Sequence, residues 1–279
     1  MEKYTKVSEL KTRLSELKKD KTTGFTPTMG ALHQGHLSLI ALNKSMCDIT
    51  VASIFVNPTQ FNDKGDYQRY PRTLERDIKM LDDVGCDIVF IPSEDEIYPE
   101  RDDRIFDFGE LDKVMEGKFR PGHFNGVAQV VSRLFDIVNP DKAFFGQKDF
   151  QQVCIIKDMV KQLHLPIEIV VAPIIREQDG LAMSSRNMLL TETQRKEAGK
   201  ISQVLFYAKE QAIKTPVNEI RNETIRRINS SPELKVEYLE IVDANTLQSV
   251  SGWNDSAGIF ICTAVHVGKI RLIDNVQLK

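Results

Sequence analysis

The sequence predicts an α/β protein: a parallel sheet with helices on both faces, followed by a smaller α+β C-terminal domain. Three observations carry this expectation. Strand-like apolar runs alternate with helical patterns as far as Ala172, which is how parallel sheets are built. The run from Ile49 to Val56 is continuously apolar and rich in β-branched residues, the mark of a strand buried on both faces. After Ile175 the texture changes to surface-type helices followed by three strand-like runs.

Taken in order, Val7 to Lys19 has Val7, Leu10, Leu14 and Leu17 on one stripe and reads as an amphipathic helix with Ser8 as its cap. Thr23 to Pro27 reads as a short strand, and a helix covers Leu37 to Lys44. Leu74 to Val84 is a helix and Asp87 to Ile91 a buried strand. Ser93 to Asp103 is charge-rich and reads as a solvated loop. Val127 to Val138 is a helix, Lys142 to Phe145 a strand, Phe150 to Leu163 a helix and Ile167 to Ala172 a strand. Beyond the boundary, Glu192 to Lys214 and Val217 to Asn229 read as helices. Val236 to Val242, Ile259 to Val265 and Lys269 to Leu278 read as strands. Two domains are expected, 1–175 and 176–279, joined without a Gly/Ser linker.

Composition narrows the function. The 279 residues are 41% hydrophobic, with 37 Lys plus Arg against 40 Asp plus Glu and a formal charge of −3. A core can be built, disorder is not expected, and the basic stripe of a nucleic-acid binder is absent. An anionic ligand must be met by a few placed cations and backbone amides. Cys47, Cys86, Cys154 and Cys262 form no CxxC pair, so neither a zinc site nor a disulfide framework is expected, and all four read as buried thiols. No signal core or membrane-length apolar run is present, so a cytoplasmic protein with no membrane partner is the expectation.

The chemistry should sit beyond the carboxyl ends of the strands. The loop after the first strand of the pattern reads Pro27-Thr28-Met29-Gly30-Ala31-Leu32-His33-Gln34-Gly35-His36. It has neither the GK[ST] ending of a P-loop nor a GxGxxG fingerprint. It has His-x-Gly-His at the start of a helix. His33 and His36 are three apart and would share a helical face. Gly35 admits a close backbone approach, and the helix dipole points positive at the same place. Two imidazoles, backbone amides and a helix N-terminus make a phosphate site. A metal site is the alternative, but no third ligand of suitable type lies nearby in sequence.

The His-x-Gly-His motif resembles that of the nucleotidylyltransferase superfamily, which includes the class I aminoacyl-tRNA synthetases. The longer string from Pro27 to His36 resembles the pantothenate synthetase family more specifically. Further blocks match that family: Ser53 to Phe61, Tyr70 to Leu74, Arg120 to Phe124, Phe145 to Gln152, Asp179 to Asn187 and Arg271 to Asn275. They occur in order over nearly the whole chain. Two positions depart from the pattern, Gln147 in place of Glu and Arg133 in place of Lys.

The resemblance implies a Rossmann-like first domain binding nucleotide and pantoate, with the C-terminal domain covering the ATP site. It implies ATP-dependent joining of pantoate to β-alanine through an adenylate, with Mg2+ on the ATP phosphates, and a homodimer. Catalytic roles fall to His33, His36, Lys148 and Arg186. ATP contacts fall to Met29, Gly30, Ala31, Leu32, His33, Gln34, Gly35, His36, Gly146, Gln147, Lys148, Asp149, Ile175, Met183, Ser184, Ser185 and Arg186. Pantoate contacts fall to Gln60, Gln152, Met29, Asn57 and Val130. The residue types suit these tasks: neutral amides both donate and accept to hydroxyls, Arg grips phosphate in bidentate fashion, and Met29 and Val130 offer apolar wall. Phe61 to Gln68, with Gly65, is a candidate cover. Two rival readings share parts of this pattern, a nucleotidylyltransferase acting on a phosphate ester and a non-enzymatic nucleotide sensor.

Overall fold

The computed structural model describes residues 1–61 and 64–279, the side chains of Lys64 and Asp66 excepted. The chain forms two compact units. The first comprises Met1–Phe108, Arg120–Gln147 and Gln152–Pro173, and the second Gly109–Phe119, Lys148–Gln151 and Ile174–Lys279. The expected boundary at 175/176 lies beside the Pro173/Ile174 junction. The second unit also takes two earlier segments that the sequence pattern assigns to the first domain.

Unit 1 is built on a six-stranded sheet of β1 (Glu2–Tyr4), β2 (Thr23–Thr28), β3 (Ile49–Ile54), β4 (Ile88–Phe90), β5 (Lys142–Gly146) and β6 (Glu168–Ala172). The order is β1-β4-β3-β2-β5-β6 and every pairing is parallel. The helices are α1 (Val7–Leu17), α2 (Gln34–Met46), α3 (Lys64–Arg69), α4 (Leu74–Asp83), α5 (Glu94–Ile97), α7 (His123–Val138) and most of α8 (Phe150–Gln162). The label α6 goes to Met115–Phe119, in unit 2. From β2 the chain winds one way through β3 and β4, then returns to place β5 on the other side of β2. Right-handed crossovers in opposite directions put α2 and α4 on one face and α7 and α8 on the other.

The return makes β2/β5 the switch point. Pairing of β2 with β3 runs the full strand, from Thr23–Ile49 to Thr28–Ile54. Pairing of β2 with β5 covers only Gly24–Lys142 and Phe25–Ala143. Pro27 lies beyond that point. A proline cannot donate to a ladder and is ordinarily kept out of central strands; here the second ladder has already stopped, so the proline breaks nothing. The sheet parts between β2 and β5 just below the loop that carries the histidines.

Burial follows the sequence pattern. All residues of β3 are buried, as a strand covered on both faces requires. Phe25, Phe135 and Phe144 are each almost wholly enclosed, and Phe25 meets Phe135 edge-on at 6.4 Å. Helix α7 begins at His123, four residues before the expected start, because Gly122 at φ 80° turns the chain into it. It is apolar nearly all round and therefore central rather than superficial.

Unit 2 holds a three-stranded antiparallel sheet, β7 (Leu234–Asp243), β8 (Ile259–Val267) and β9 (Ile270–Gln277), in sequential order. With it come α6, α9 (Glu192–Gln211) and α10 (Val217–Ile228). Ile201, Leu205, Ile220 and Ile228 from the two long helices join Leu239, Ile241, Ile261 and Val265 in one core.

One strand escaped the sequence pattern: Glu2–Tyr4 pairs with Ile88–Phe90 as the sheet's edge strand. Three expectations need correction. Ser8 does not cap α1; the N-cap is Lys6, which makes no side-chain cap bond. The segment 93–103 is largely exposed but is not loop throughout. It contains α5, with Ile97 buried, and Asp102, whose side chain is 3% exposed. Cys86 and Cys262 are buried, but Cys47 and Cys154 are partly exposed; none of the four is in a disulfide.

Candidate active site

The histidine loop is shaped by hydrogen bonds rather than by helical periodicity. Gly30 and Ala31 both take positive φ, 78° and 49°, a conformation an alanine adopts only when held. The holder is Asp77, in the first turn of α4 and 1% exposed. Its carboxylate accepts the Ala31 and Leu32 N–H groups, each at 2.8 Å, and the Thr73 hydroxyl at 3.0 Å. Sequence reasoning missed Asp77. Its signal was a carboxylate four residues before buried Leu81, on the apolar side of an otherwise amphipathic helix.

His33 is not on the helix. It is the N-cap of α2, extended at φ −144° and ψ 176°. Its Nδ1 accepts the Gly35 N–H at 3.1 Å, while His36, at the third helical position, accepts the His33 N–H on its own Nδ1 at 3.3 Å. This is a capping box written with two imidazoles. The rings lie 4.1 Å apart between centroids. Because both Nδ1 atoms accept, the neutral rings carry their protons on Nε2. The motif therefore has two Nε2–H donors at the positive end of a thirteen-residue helix, where an anion is stabilised.

The turn after β3 carries the amides. Asn57 caps the 3-10 turn Pro58–Gln60 and is 1% exposed. Its Oδ1 accepts from the Thr59 N–H and hydroxyl at 3.4 and 3.1 Å and from the Tyr98 hydroxyl at 3.0 Å. Its Nδ2 donates to the Gly126 carbonyl at 3.2 Å and to Gln60 Oε1 at 3.3 Å. Gln60 Nε2 lies 2.9 Å from Met29 Sδ. Helix α7 closes on this turn at Gly126, where a Cβ would come within 2.6 Å of the Thr59 carbonyl. His123 supports it from the same helix, its Nδ1 at 2.8 Å from the Gln60 carbonyl. Val130 is buried on α7, and Gln152 is half-buried. The candidate cover 61–68 is described only in part, since Asn62 and Asp63 lie outside the described residues. In the rest of it Phe61 packs edge-on against Tyr67 and Tyr70 at 5.3 and 5.7 Å.

Gly146 and Gln147 continue from the end of β5 in unit 1, while Lys148 and Asp149 belong to unit 2. Lys148 Nζ is 3.6 Å from Asp149, and its carbonyl accepts Asn275 Nδ2 at 3.1 Å. Asn275 follows Asp274, which Arg176 grips through two bonds of 2.7 and 2.9 Å. Burial pushes the Asp274 carboxyl up, against the pull of that guanidinium. The Lys148–Gln151 segment is tied to the rest of unit 2 a second way. Gln151 accepts the Glu116 N–H at 2.9 Å, and Glu116 is bound by Arg271 through two bonds of 2.9 and 2.7 Å and by the Tyr238 hydroxyl at 2.9 Å. The Arg271–Asn275 block thus anchors the lysine turn. Ser184 caps the turn Ser185–Leu189 by accepting the Arg186 N–H at 3.2 Å. Ser185 is buried, and Met183 bonds back to Ile175 through its N–H at 3.0 Å.

Among the described residues no group of three or more His, Cys, Asp and Glu is placed to hold a metal ion, and no helix is long and apolar enough to cross a membrane.

An open parallel sheet whose switch point ends at a helix N-terminus flanked by two imidazoles is an α/β arrangement in which that helix end can stabilise an anion. The chain belongs to the pantoate-β-alanine ligase family, whose model matches residues 2–277. The pantothenate synthetase of Bacteroides thetaiotaomicron is 51% identical over 274 residues, covering 98% of this chain and 97% of that protein. That of Porphyromonas gingivalis is 50% identical, covering 99% of each. The crystal structure of the Thermus thermophilus pantothenate synthetase superposes with a TM-score of 0.94 at 41% identity, covering 100% of this chain and 99% of that one. The pantoate-β-alanine ligase of Francisella tularensis, complexed with β,γ-ATP and β-alanine, gives 0.84 at 40% identity, covering 99% and 97%.

Proposed function

We propose that this chain condenses (R)-pantoate with β-alanine, driven by ATP, through pantoyl adenylate, releasing AMP and pyrophosphate. The observation that carries the reading is the imidazole pair at the start of α2, whose Nδ1 atoms both accept and whose Nε2–H groups are donors, in a chain of the pantoate-β-alanine ligase family.

In the first step a pantoate carboxylate oxygen attacks the α-phosphorus, and the bond to pyrophosphate breaks. The carboxylate is ionised at neutral pH, so the protein need not remove a proton. Its task is orientation and stabilisation of charge on the phosphoryl oxygens. His33 and His36 donate to those oxygens, and Lys148 and Arg186 add cationic charge. The backbone from Met29 to Gly35, with Gly146, Gln147, Asp149, Ile175, Met183, Ser184 and Ser185, shapes the nucleotide site. Gln60 and Gln152 hold pantoate against the apolar wall of Met29 and Val130, while Asn57 serves Gln60. In the second step the amine of β-alanine, its ammonium proton already lost to solvent, attacks the acyl carbon; the bond to AMP breaks, and the proton left on the new amide nitrogen passes to water or to the departing phosphate.

Mg2+ prefers octahedral oxygen, often supplied by phosphates with few protein ligands. It would arrive with ATP and neutralise phosphate charge. A cytoplasmic homodimer is the expected setting.

The test is exchange of labelled pyrophosphate into ATP. Exchange that requires pantoate, followed by AMP release that requires β-alanine, is the expected result. Exchange supported only by another acid or by a phosphate ester would overturn the substrate assignment.

A further inference from the structure

We propose that Tyr98 is a positioning residue for pantoate, which acts through Asn57 to fix the end of the Gln60 amide that faces the substrate. The inference rests on the reading of Gln60 as a pantoate contact. All the residues concerned lie in unit 1.

The argument is one of hydrogen-bond polarity. The orientation of an amide side chain is read from its partners, and two of the partners of Asn57 are unambiguous. The Thr59 N–H can only donate, so the atom it meets at 3.4 Å is the oxygen. The Gly126 carbonyl can only accept, so the atom it meets at 3.2 Å is the nitrogen. The second Nδ2 hydrogen then points to Gln60, which must answer with its oxygen, at 3.3 Å. Gln60 is left with its NH2 on the opposite side, beside Met29 Sδ, a weak acceptor. An NH2 on the substrate side offers donors and no acceptor, which fits a carboxylate or hydroxyl oxygen. A turned amide would offer a carbonyl, which repels a carboxylate.

The Tyr98 hydroxyl donates to the same Asn57 oxygen at 3.0 Å. A hydroxyl can also accept, so the orientation is read from the Thr59 N–H and the Gly126 carbonyl, and the Tyr98 hydroxyl strengthens it by adding a donor to the oxygen they mark. Burial pushes the Tyr98 hydroxyl up from its ordinary value, so it stays a donor across neutral pH. The ring itself is clamped. Arg133 Cζ lies over it at 5.4 Å, and Arg133 is fixed by Asp102 at 2.6 Å. Phe55 lies 6.4 Å away between centroids. Residues 93–104 therefore enter the site as the support of Gln60.

Tyr98→Phe removes the hydroxyl and leaves the clamped ring. The expected result is a pantoate KM raised by about 3- to 10-fold, the scale of one net hydrogen bond, with the KM values for ATP and β-alanine unchanged. A purely structural role would move all three together. In a Gln60→Ala background the amide is gone, so Tyr98→Phe should add nothing; additive losses would overturn the coupling. The isosteric Asn57→Asp replaces the donor to Gln60 by an acceptor and also sets it against the Gly126 carbonyl, so it should raise the pantoate KM more than Tyr98→Phe does and lower stability as well; a pantoate KM equal to that of the parent would overturn the coupling. If Gln60→Ala leaves the pantoate KM unchanged, the reading of Gln60 fails and this inference falls with it. If Gln60→Ala raises it while Tyr98→Phe does not, Gln60 stands and the role of Tyr98 is refuted.

Discussion

Asp77→Asn tests how the histidine loop is held. The carboxylate receives two backbone N–H groups at 2.8 Å and a hydroxyl at 3.0 Å, in a site where it is 1% exposed. Asparagine keeps one oxygen and turns the other into an NH2 that confronts an N–H. One charge-assisted bond is lost and another becomes neutral. At about 1.5–3 kcal/mol for a bond to a charged group, the expected destabilisation is about 2–3 kcal/mol. The loop also loses what holds Ala31 at φ 49°, a conformation that costs about 1–2 kcal/mol outside glycine, so it relaxes next to His33. A displacement of about 1 Å at a positioning group lowers rate by up to about 100-fold. Urea denaturation gives the first quantity, and pantoate-dependent pyrophosphate exchange at saturating ATP gives the second, expected to fall about 10- to 100-fold. A variant that loses the stability but exchanges within about twofold of the parent would refute the link between Asp77 and the imidazoles.

Other perturbations address separate parts of the molecule. His36→Ala removes one preorganised donor and should lower adenylation by about 10²- to 10³-fold; parental exchange rates would remove His36 from the mechanism. Hydrogen bonds from Arg104 and then Arg133 hold the Asp102 carboxyl well below the usual carboxylate range. A depressed carboxylate contributes stability above its unfolded pKa of about 3.9 and loses it as pH falls from there towards the folded value. Asp102→Asn should therefore flatten the decline of stability below about pH 4, and an unchanged acid limb would contradict the ion-pair account. Arg271→Leu leaves Glu116 and Glu237 without their shared counterion. The guanidinium is 22% exposed, so the loss should fall below the full buried-pair scale, at about 2–3 kcal/mol by denaturation; a neutral effect would show that the network adds no stability.

Much of the architecture was legible because its signals are local. The doubly buried run at Ile49–Ile54 and the amphipathic pattern of α4 announce themselves within a few residues. The His-x-Gly-His string also stands out in the sequence. Its geometry does not, because helical spacing says nothing of a reciprocal cap in which the first histidine stays extended. The 93–103 segment misleads for a related reason. Its charges suggest solvent, but the Asp102 side chain is enclosed because Arg133, some thirty positions later on α7, meets it. Glu116 is the same case, paired with an arginine far along the chain.

The sequence by itself determined the sheet, the family resemblance and the residue types that chemistry with ATP and a small acid requires, since period, propensity and motif are properties of adjacent residues. Only the tertiary structure decided which groups hold those residues in place. Asp77 under the Ala31–Leu32 amides, Tyr98 behind Asn57 and Asn275 on the Lys148 carbonyl are partners distant in sequence. A buried polar group must find a partner wherever the fold brings one within reach, and no local pattern records that choice.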